Sequence, residues 1–315
     1  MTDGPVVLAA ALWLALAVDR WLGEPPARAH PVVGMGRWLG WAGRHVAPLP
    51  GDARRAGPFV RGALAWLVGA FVATALGWAL QWVAGALPAL LAAVALALCL
   101  KPLLAWRMLR DEVAAVEQAL ACSLPEGRER LARLVSRDVQ QLDAGEVRES
   151  AIESLAENLN DSVVAPLFWF AIAGLPGAAL YRFANTADAM WGYRGERSGR
   201  DWTWAGKWAA RADDALSWLP ARLTALLLML AAGRWPAGLR REAARTPSPN
   251  GGWPMGAMAL LLGVHLRKPG VYALHAGGRE PQAQDTQRAL VLAGRTVPMA
   301  AALATLALVW LAQLR

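Results

Sequence analysis

Apolar positions along the chain gather into long blocks separated by polar, charged stretches. Gly62–Ala84 and Ala86–Met108 each approach the about 20 apolar residues that a full transmembrane helix needs, with Lys101 interrupting the second near its end. Gly85, Ala86, Leu87 and Pro88 form the junction, which predicts a tight helical hairpin. Pro5–Val18 and Val297–Leu311 are shorter, but apolar enough to span with tilt or local thinning of the bilayer. Three more runs, Val163–Phe183, Trp218–Gly233 and Pro254–Leu266, read as partly inserted or buried segments. The first of these is interrupted by Gly174-Leu175-Pro176-Gly177, a helix break.

Composition agrees with that pattern. Of 315 residues, 56% are hydrophobic and 18% charged, against about 45–50% and about 25% in soluble domains. The net charge of +8 does not come from one basic tract, as in a nucleic-acid binder. Seven Lys and Arg lie from Arg20 to Arg61, seven from Arg107 to Arg148, seven from Arg182 to Arg222 and nine from Arg234 to Arg295, while the hairpin tip has none. The positive-inside rule then places all four blocks in the cytoplasm and the N-terminus outside, in the periplasm. Val163–Phe183 has basic blocks on both sides, so it is expected to enter and return as a re-entrant hairpin, which requires protein to cover the freed backbone groups. Thr2-Asp3-Gly4 carry no positive charge and no A-x-A site follows, so the first run reads as a retained membrane segment and not a signal peptide. The expectation is an all-α, polytopic helical membrane protein. It has about four full spans, re-entrant or short membrane-inserted helices, and cytoplasmic amphipathic helices, in one membrane-embedded domain over residues 1–315. Many of the 17 tryptophans, Trp202, Trp204 and Trp208 among them, are expected to anchor at the interface.

The chain has no P-loop, no G-x-S-x-G, no H-E-x-x-H and no C-x-x-C. Cys99 and Cys122 read as isolated thiols, and His30, His45, His265 and His275 as structural. Chemistry must come from the polar stretches. Glu149, Glu153, Glu157 and Asp161 recur every four residues, joined by Glu146, and so share one helix face opposite Val147, Ile152, Leu155, Leu159 and Val163. Like charges at that spacing cost a helix a few tenths of a kcal/mol each, and only Arg148 offsets them. The stripe is either a solvated face or is neutralised, by Mg²⁺ with phosphate or by arginines from elsewhere. Asn185 and Asp188 stand one helical turn apart before Gly192, Tyr193 and Arg194, and Arg211 precedes Asp213-Asp214. Thr246-Pro-Ser-Pro-Asn-Gly-Gly-Trp-Pro254 is a loop opening a short apolar helix, with amides placed to meet phosphate. Asp19-Arg20 to Gly34 is a fourth charged, loop-forming stretch.

Together these stretches resemble the CobD/CbiB family of cobalamin biosynthesis, the adenosylcobinamide-phosphate synthases. The resemblance rests on DRWLGEPP…HPVVGMG, SRDVQQLD (Ser136–Asp143), ESLAENLNDSVVAPLF (Glu153–Phe168), NTADAMWGYR (Asn185–Arg194), RADDALSWLPARLTALLL (Arg211–Leu228) and SPNGGWPMGAMALLLGVHL (Ser248–Leu266), in order across most of the chain. Asn160-Asp161-Ser162 stands where the family commonly has Ser-Asp-Gly. The resemblance implies a ligase of the cell (inner) membrane that joins (R)-1-amino-2-propanol, or its O-phosphate, to a propionate of adenosylcobyric acid, using ATP as substrate and Mg²⁺. It implies metal ligands among Glu153, Glu157, Asp161 and Asp188, with Glu146 and Glu149 left solvated. Asp138, Glu157 and Asp213 are the candidate catalytic carboxylates. Arg137, Arg194 and Arg211 would clamp phosphate, and Asn158, Asn185, Tyr193, Asn250 and Trp253 would bind substrate. The lipid bilayer is an expected partner, a homo-oligomer or an association with other pathway enzymes fits as well, and nucleic acid does not. A regulator like the AmpE sensory proteins and a secondary transporter are the competing classes.

Overall fold

The computed structural model describes residues 4–51 and 55–314, so Thr2 and Asp3 of the retained-segment reading lie outside the described residues. In chain order the helices are α1 (Gly4–Leu22), α2 (Pro31–Val46), α3 (Ala56–Gly85), α4 (Ala89–Leu100), α5 (Trp106–Cys122), α6 (Leu124–Leu131), α7 (Ala144–Leu159), α8 (Ala165–Trp191), α9 (Lys207–Ala232), α10 (Leu239–Ala243), α11 (Gly252–Leu262) and α12 (Ala283–Gln313). The only sheet among the described residues is in two antiparallel hairpins, β1 (Glu196–Arg197) with β2 (Arg200–Asp201), and β3 (Leu266–Lys268) with β4 (Tyr272–Leu274). Among the described residues, six helical stretches are long and apolar enough to cross a membrane: Gly4–Leu22, Ala56–Gly85, Ala89–Cys122, Ala144–Trp191, Lys207–Ala232 and Ala283–Gln313. The apolar runs alone indicate about four full spans. The Trp218 run lies within the longer α9, and the Val163 run within a longer helical stretch. The chain forms two compact units: residues 1–104, 165–216 and 303–315 in one, 105–164 and 217–302 in the other. Two of the crossings fall inside the continuous helices α9 and α12, which is why composition does not mark them.

In the first unit, α3 packs on α8, α1 on α4, and α2 on both α3 and α8. Phe71, Leu76, Trp78, Trp82, Leu90, Leu98, Leu306 and Trp310 project outward, exposed. Bands of that kind are stable only against lipid. The inner face of α3 is notched by glycines. A Cβ at Gly69 would lie 2.6 Å from Trp38 Nε1, and one at Gly77 2.9 Å from Pro176 Cα. Absence of side chains there is what allows the close helix–helix approach typical of membrane cores. The predicted break is real: Gly174 has φ 67°, ψ −154° inside α8. Its freed backbone is met from α3, where Gln81 Oε1 accepts from Leu175 N at 2.7 Å. Trp202 departs from the interface expectation. It is buried, stacked 5.8 Å from Trp191, because the β1–β2 hairpin turns it into the core. Within the Asp19–Gly34 stretch Asp19 is buried, while Trp21 and Leu22 are exposed. Lys101, buried, pairs with Asp19 Oδ1 at 3.3 Å and Glu24 Oε2 at 2.7 Å, and His30 Nε2 meets the same Glu24 oxygen at 3.1 Å.

In the second unit, α7 is the central element. It packs against α5, α6, α11 and β3. Val147, Ile152, Leu155 and Leu159, the predicted apolar face, are fully buried.

Candidate active site

The predicted acidic stripe on α7 resolves into residues with different tasks. Glu146 closes a capping box: its backbone N donates to Asp143 Oδ1 at 2.8 Å, and its Oε2 accepts from Asp143 N at 2.9 Å. Glu149, expected to be solvated, is completely buried. Arg267 N donates to its Oε2 at 2.6 Å, Arg267 Nη2 to its Oε1 at 2.7 Å, and His265 Nε2 stands 3.3 Å away. That hydrogen bond lifts the Arg267 guanidinium above its ordinary pKa. Burial of Glu149 corrects the expectation for a clear reason: β3 packs on α7 and supplies the cation and amide a buried carboxylate requires. Glu153 is also buried, and Arg137 Nη2 donates to its Oε2 at 2.5 Å. Glu157 is exposed. The stripe is therefore not a solvated face, and arginines from elsewhere neutralise two of its members.

Glu153 and Glu157 open onto one cavity of about 320 Å³, with Arg137, Asn158, Ser154 and Lys268 in its walls. Thr246–Ser248, Met255, Val271 and Tyr272 close the other side. Asn158 is held in place by Nδ2 bonds to Ser154 O at 3.0 Å and to Ser154 Oγ at 3.2 Å. The lining contains two cations, two carboxylates, several hydroxyls and an amide, with neither thiol nor imidazole. Arg137 carries the clearest demand for a ligand. Its Nη1 is buried and has no hydrogen-bond partner among the described residues.

Other predicted residues fall elsewhere. Asp161 does not line the cavity. Residues Asn160–Val164 form a π-turn, the widened turn often found beside functional sites, and it takes Asp161 off the four-residue register. Asn160 Nδ2 donates to Asp161 Oδ1 at 2.7 Å, and Asn160 Oδ1 accepts from Thr224 Oγ1 at 3.1 Å. Asp138 is exposed, with Oδ1 accepting from Gln140 N at 2.9 Å. Asn250, buried, accepts from Arg222 Nη1 at 3.1 Å, and the Arg222 guanidinium lies 4.8 Å from the Trp253 ring and 4.2 Å from the Trp218 ring. Asn250 and Trp253 thus hold Arg222 and do not line the cavity. Two loop amides expected to face phosphate, those of Asn250 and Gly251, donate to Ser248 Oγ at 3.2 and 3.3 Å. That short loop satisfies its own backbone. Asn185, Asp188, Tyr193, Arg194, Arg211 and Asp213 belong to the first unit. There Asn185 Nδ2 donates to Asp213 Oδ1 at 3.5 Å, and Tyr193 OH donates to Ala189 O at 3.0 Å under the Arg197 guanidinium.

Of the four carboxylates expected to hold metal, Glu153 and Glu157 share the cavity, and among the described residues no three His, Cys, Asp or Glu side chains group as a metal cage. A Mg²⁺ ion needs less: it commonly takes one or two carboxylates and completes its shell with phosphate and water oxygens. The carboxylate, hydroxyl and amide oxygens that line the cavity fit that requirement. Sequence reasoning missed Lys268 and Tyr272. The available signal was Lys268-Pro269-Gly270 between apolar alternations, a hairpin turn with Gly270 at φ 72°.

Fold and site together define a polytopic helical membrane protein with a small charged cavity built on one polar helix. The chain belongs to the CobD/Cbib protein family, whose sequence model matches residues 12–302. It is similar to the cobalamin biosynthesis protein CobD of Halalkalibacterium halodurans, 38% identical over 304 residues that cover 91% of this chain and 92% of the relative. It is 42% identical over 289 residues to that of Stutzerimonas stutzeri, with 88% and 90% covered, and 37% identical over 319 residues to that of Brucella suis, with 91% and 93% covered. No solved structure matches the chain.

Proposed function

We propose that the chain is a cobalamin-biosynthesis ligase that joins (R)-1-amino-2-propanol O-phosphate to a propionate of adenosylcobyric acid, giving adenosylcobinamide phosphate, with ATP consumed and Mg²⁺ required. Family membership supports the pathway. The observation that carries the assignment of the cavity is the buried, unpartnered Nη1 of Arg137. An unmet charged donor costs more than the about 1–3 kcal/mol of a neutral one, so an anion is favoured at that wall. Arg137 and Lys268 set beside Glu153 and Glu157 suit a small zwitterion with phosphate at one end and ammonium at the other. At about 320 Å³ the cavity is near the bottom of the roughly 300–1,000 Å³ range of ligand sites. That volume supports the amine phosphate as its occupant and leaves the corrin macrocycle outside.

The chemistry follows from the substrates. A carboxylate is a poor acyl donor, so the propionate first takes the γ-phosphoryl group of ATP, forming an acyl phosphate and releasing ADP. The amine nitrogen then attacks the acyl carbon. The C–N bond forms, the C–O bond to phosphate breaks and inorganic phosphate leaves. The amine arrives as an ammonium, so a carboxylate must take a proton before attack. Glu157 is the carboxylate proposed for this step, because it is exposed and lines the cavity. Mg²⁺ supplies charge neutralisation on phosphate when bound, and Glu153 beside Arg137 would hold it. The distribution of basic blocks supports a cytoplasmic cavity. The test is full-length protein in nanodiscs with adenosylcobyric acid, ATP, Mg²⁺ and the amine phosphate, read by mass spectrometry. The amide, ADP and phosphate are expected in equal amounts, and removal of Mg²⁺ abolishes them. A folded protein that forms no amide in the complete mixture overturns the reading.

A further inference from the structure

A second polar cavity, of about 490 Å³, lies wholly within the second unit and has no part in the chemistry above. Its polar wall is made by Arg234, Arg288 and Arg295 with Gln284 and Gln287, and its floor by apolar side chains including Leu262 and Val291. Gln284, Arg288, Val291 and Arg295 are spaced four, three and four residues apart, so they form one stripe of α12. No carboxylate lines the cavity. The nearby Asp285 is neutralised chiefly by Arg279, whose Nη1 and Nη2 donate to its two oxygens at 2.7 Å each, and Arg288 Nη1 stands farther off, 3.8 Å from Asp285 Oδ1. Arg234 is pinned at the edge by its Nη1 bond to Leu261 O at 3.0 Å.

The position of these arginines along the membrane normal is readable from two independent helices. The apolar run of α9 ends at Gly233, immediately before Arg234. The apolar run of α12 begins at Val297, two residues after Arg295. Both helices thus bring arginine to an end of their apolar segment, the level of lipid headgroups. A cationic wall at that level matches the headgroup of an anionic phospholipid, with the phosphodiester at the arginines and the acyl chains running beside the apolar segment of α12 that follows Arg295. We propose that this cavity is a binding site for one anionic phospholipid, distinct from the diffuse attraction of basic loops to the membrane surface.

The test compares full-length protein in nanodiscs of phosphatidylcholine with and without phosphatidylglycerol. The thermal unfolding midpoint is expected to rise by several degrees with phosphatidylglycerol. The triple variant Arg234→Gln, Arg288→Gln, Arg295→Gln is expected to lose that increment, whereas Arg20→Gln in α1 keeps it. An increment retained by the triple variant, or lost equally in the Arg20 control, overturns the proposal, the second outcome reducing it to bulk surface charge. Inorganic phosphate at matched ionic strength is expected to give no shift; an equal shift would make the cavity a free-phosphate site and overturn the lipid assignment. Should the triple variant not fold, a photoreactive phosphatidylglycerol on wild-type protein decides. Labelling centred on residues 284–295 and 261–262 supports the site, and labelling confined to other segments overturns it.

Discussion

Arg267 reaches the buried Glu149 carboxylate twice, through its backbone amide at 2.6 Å and its guanidinium Nη2 at 2.7 Å. This double contact ties the β3–β4 hairpin to α7 and so sets Lys268 and Tyr272 over the cavity. Glu149→Ala removes both bonds and leaves His265 beside an empty site. Because the Arg267 side chain is 46% exposed, water recovers part of the loss, and the expected cost is about 2 kcal/mol. The measurement is denaturation in detergent with hydrogen exchange over residues 266–274. A hairpin protected as in the wild type would refute the tie.

Arg137→Ala is expected to raise KM for the amine phosphate about 100-fold, the loss of a charge-assisted hydrogen bond of about 2–3 kcal/mol. Lys268→Gln, at an exposed position, should raise it about 10-fold. Neither should change KM for unphosphorylated aminopropanol by more than a small factor. Steady-state kinetics with the two amines separates phosphate recognition from general damage; equal losses on both amines would remove Arg137 and Lys268 from the phosphate end.

Glu157→Gln is expected to lower kcat at least 100-fold with little change in KM, the usual scale for removing a general base. Asp161→Asn, off the cavity because of the π-turn, should lower kcat by less than about 10-fold. The reverse order of the two effects would return the catalytic role to Asp161.

At Gly174 the backbone sits at φ 67°, and an added Cβ would stand 2.2 Å from Gln81 Oε1. Gly174→Ala therefore combines a positive-φ penalty of about 1–2 kcal/mol with loss of the Gln81 bond to Leu175 N. A fall in thermal midpoint larger than that of Gly57→Ala, where nothing lies within 4 Å, is expected. Equal midpoints would show that the break does not depend on this contact.

Lys101→Met strands the buried Asp19 and the half-buried Glu24. Removing one side of a buried pair costs about 3–5 kcal/mol. Lys101→Met with Asp19→Asn should recover part of that stability in an equilibrium unfolding series, and an additive loss would argue against coupling.

Much of this protein follows from one-dimensional pattern. Apolar runs determine helices, because a chain in lipid must satisfy its backbone locally. The Gly174–Gly177 break and the apolar face of α7 are equally local, since Gly, Pro and a 3.6-residue period act over a few residues. Arg137, Glu153, Glu157 and Asn158 are named by sequence and meet in one cavity. What needed the tertiary structure was the partner of each charge. Glu146, Glu149, Glu153 and Glu157 are alike in the sequence, but a cap, a buried tie, a buried ion pair and an exposed cavity residue are set by what approaches each from distant segments. Residue spacing fixes which face a side chain occupies; burial and the long-range arrival of Arg137, Arg267 and Lys268 decide what that face does.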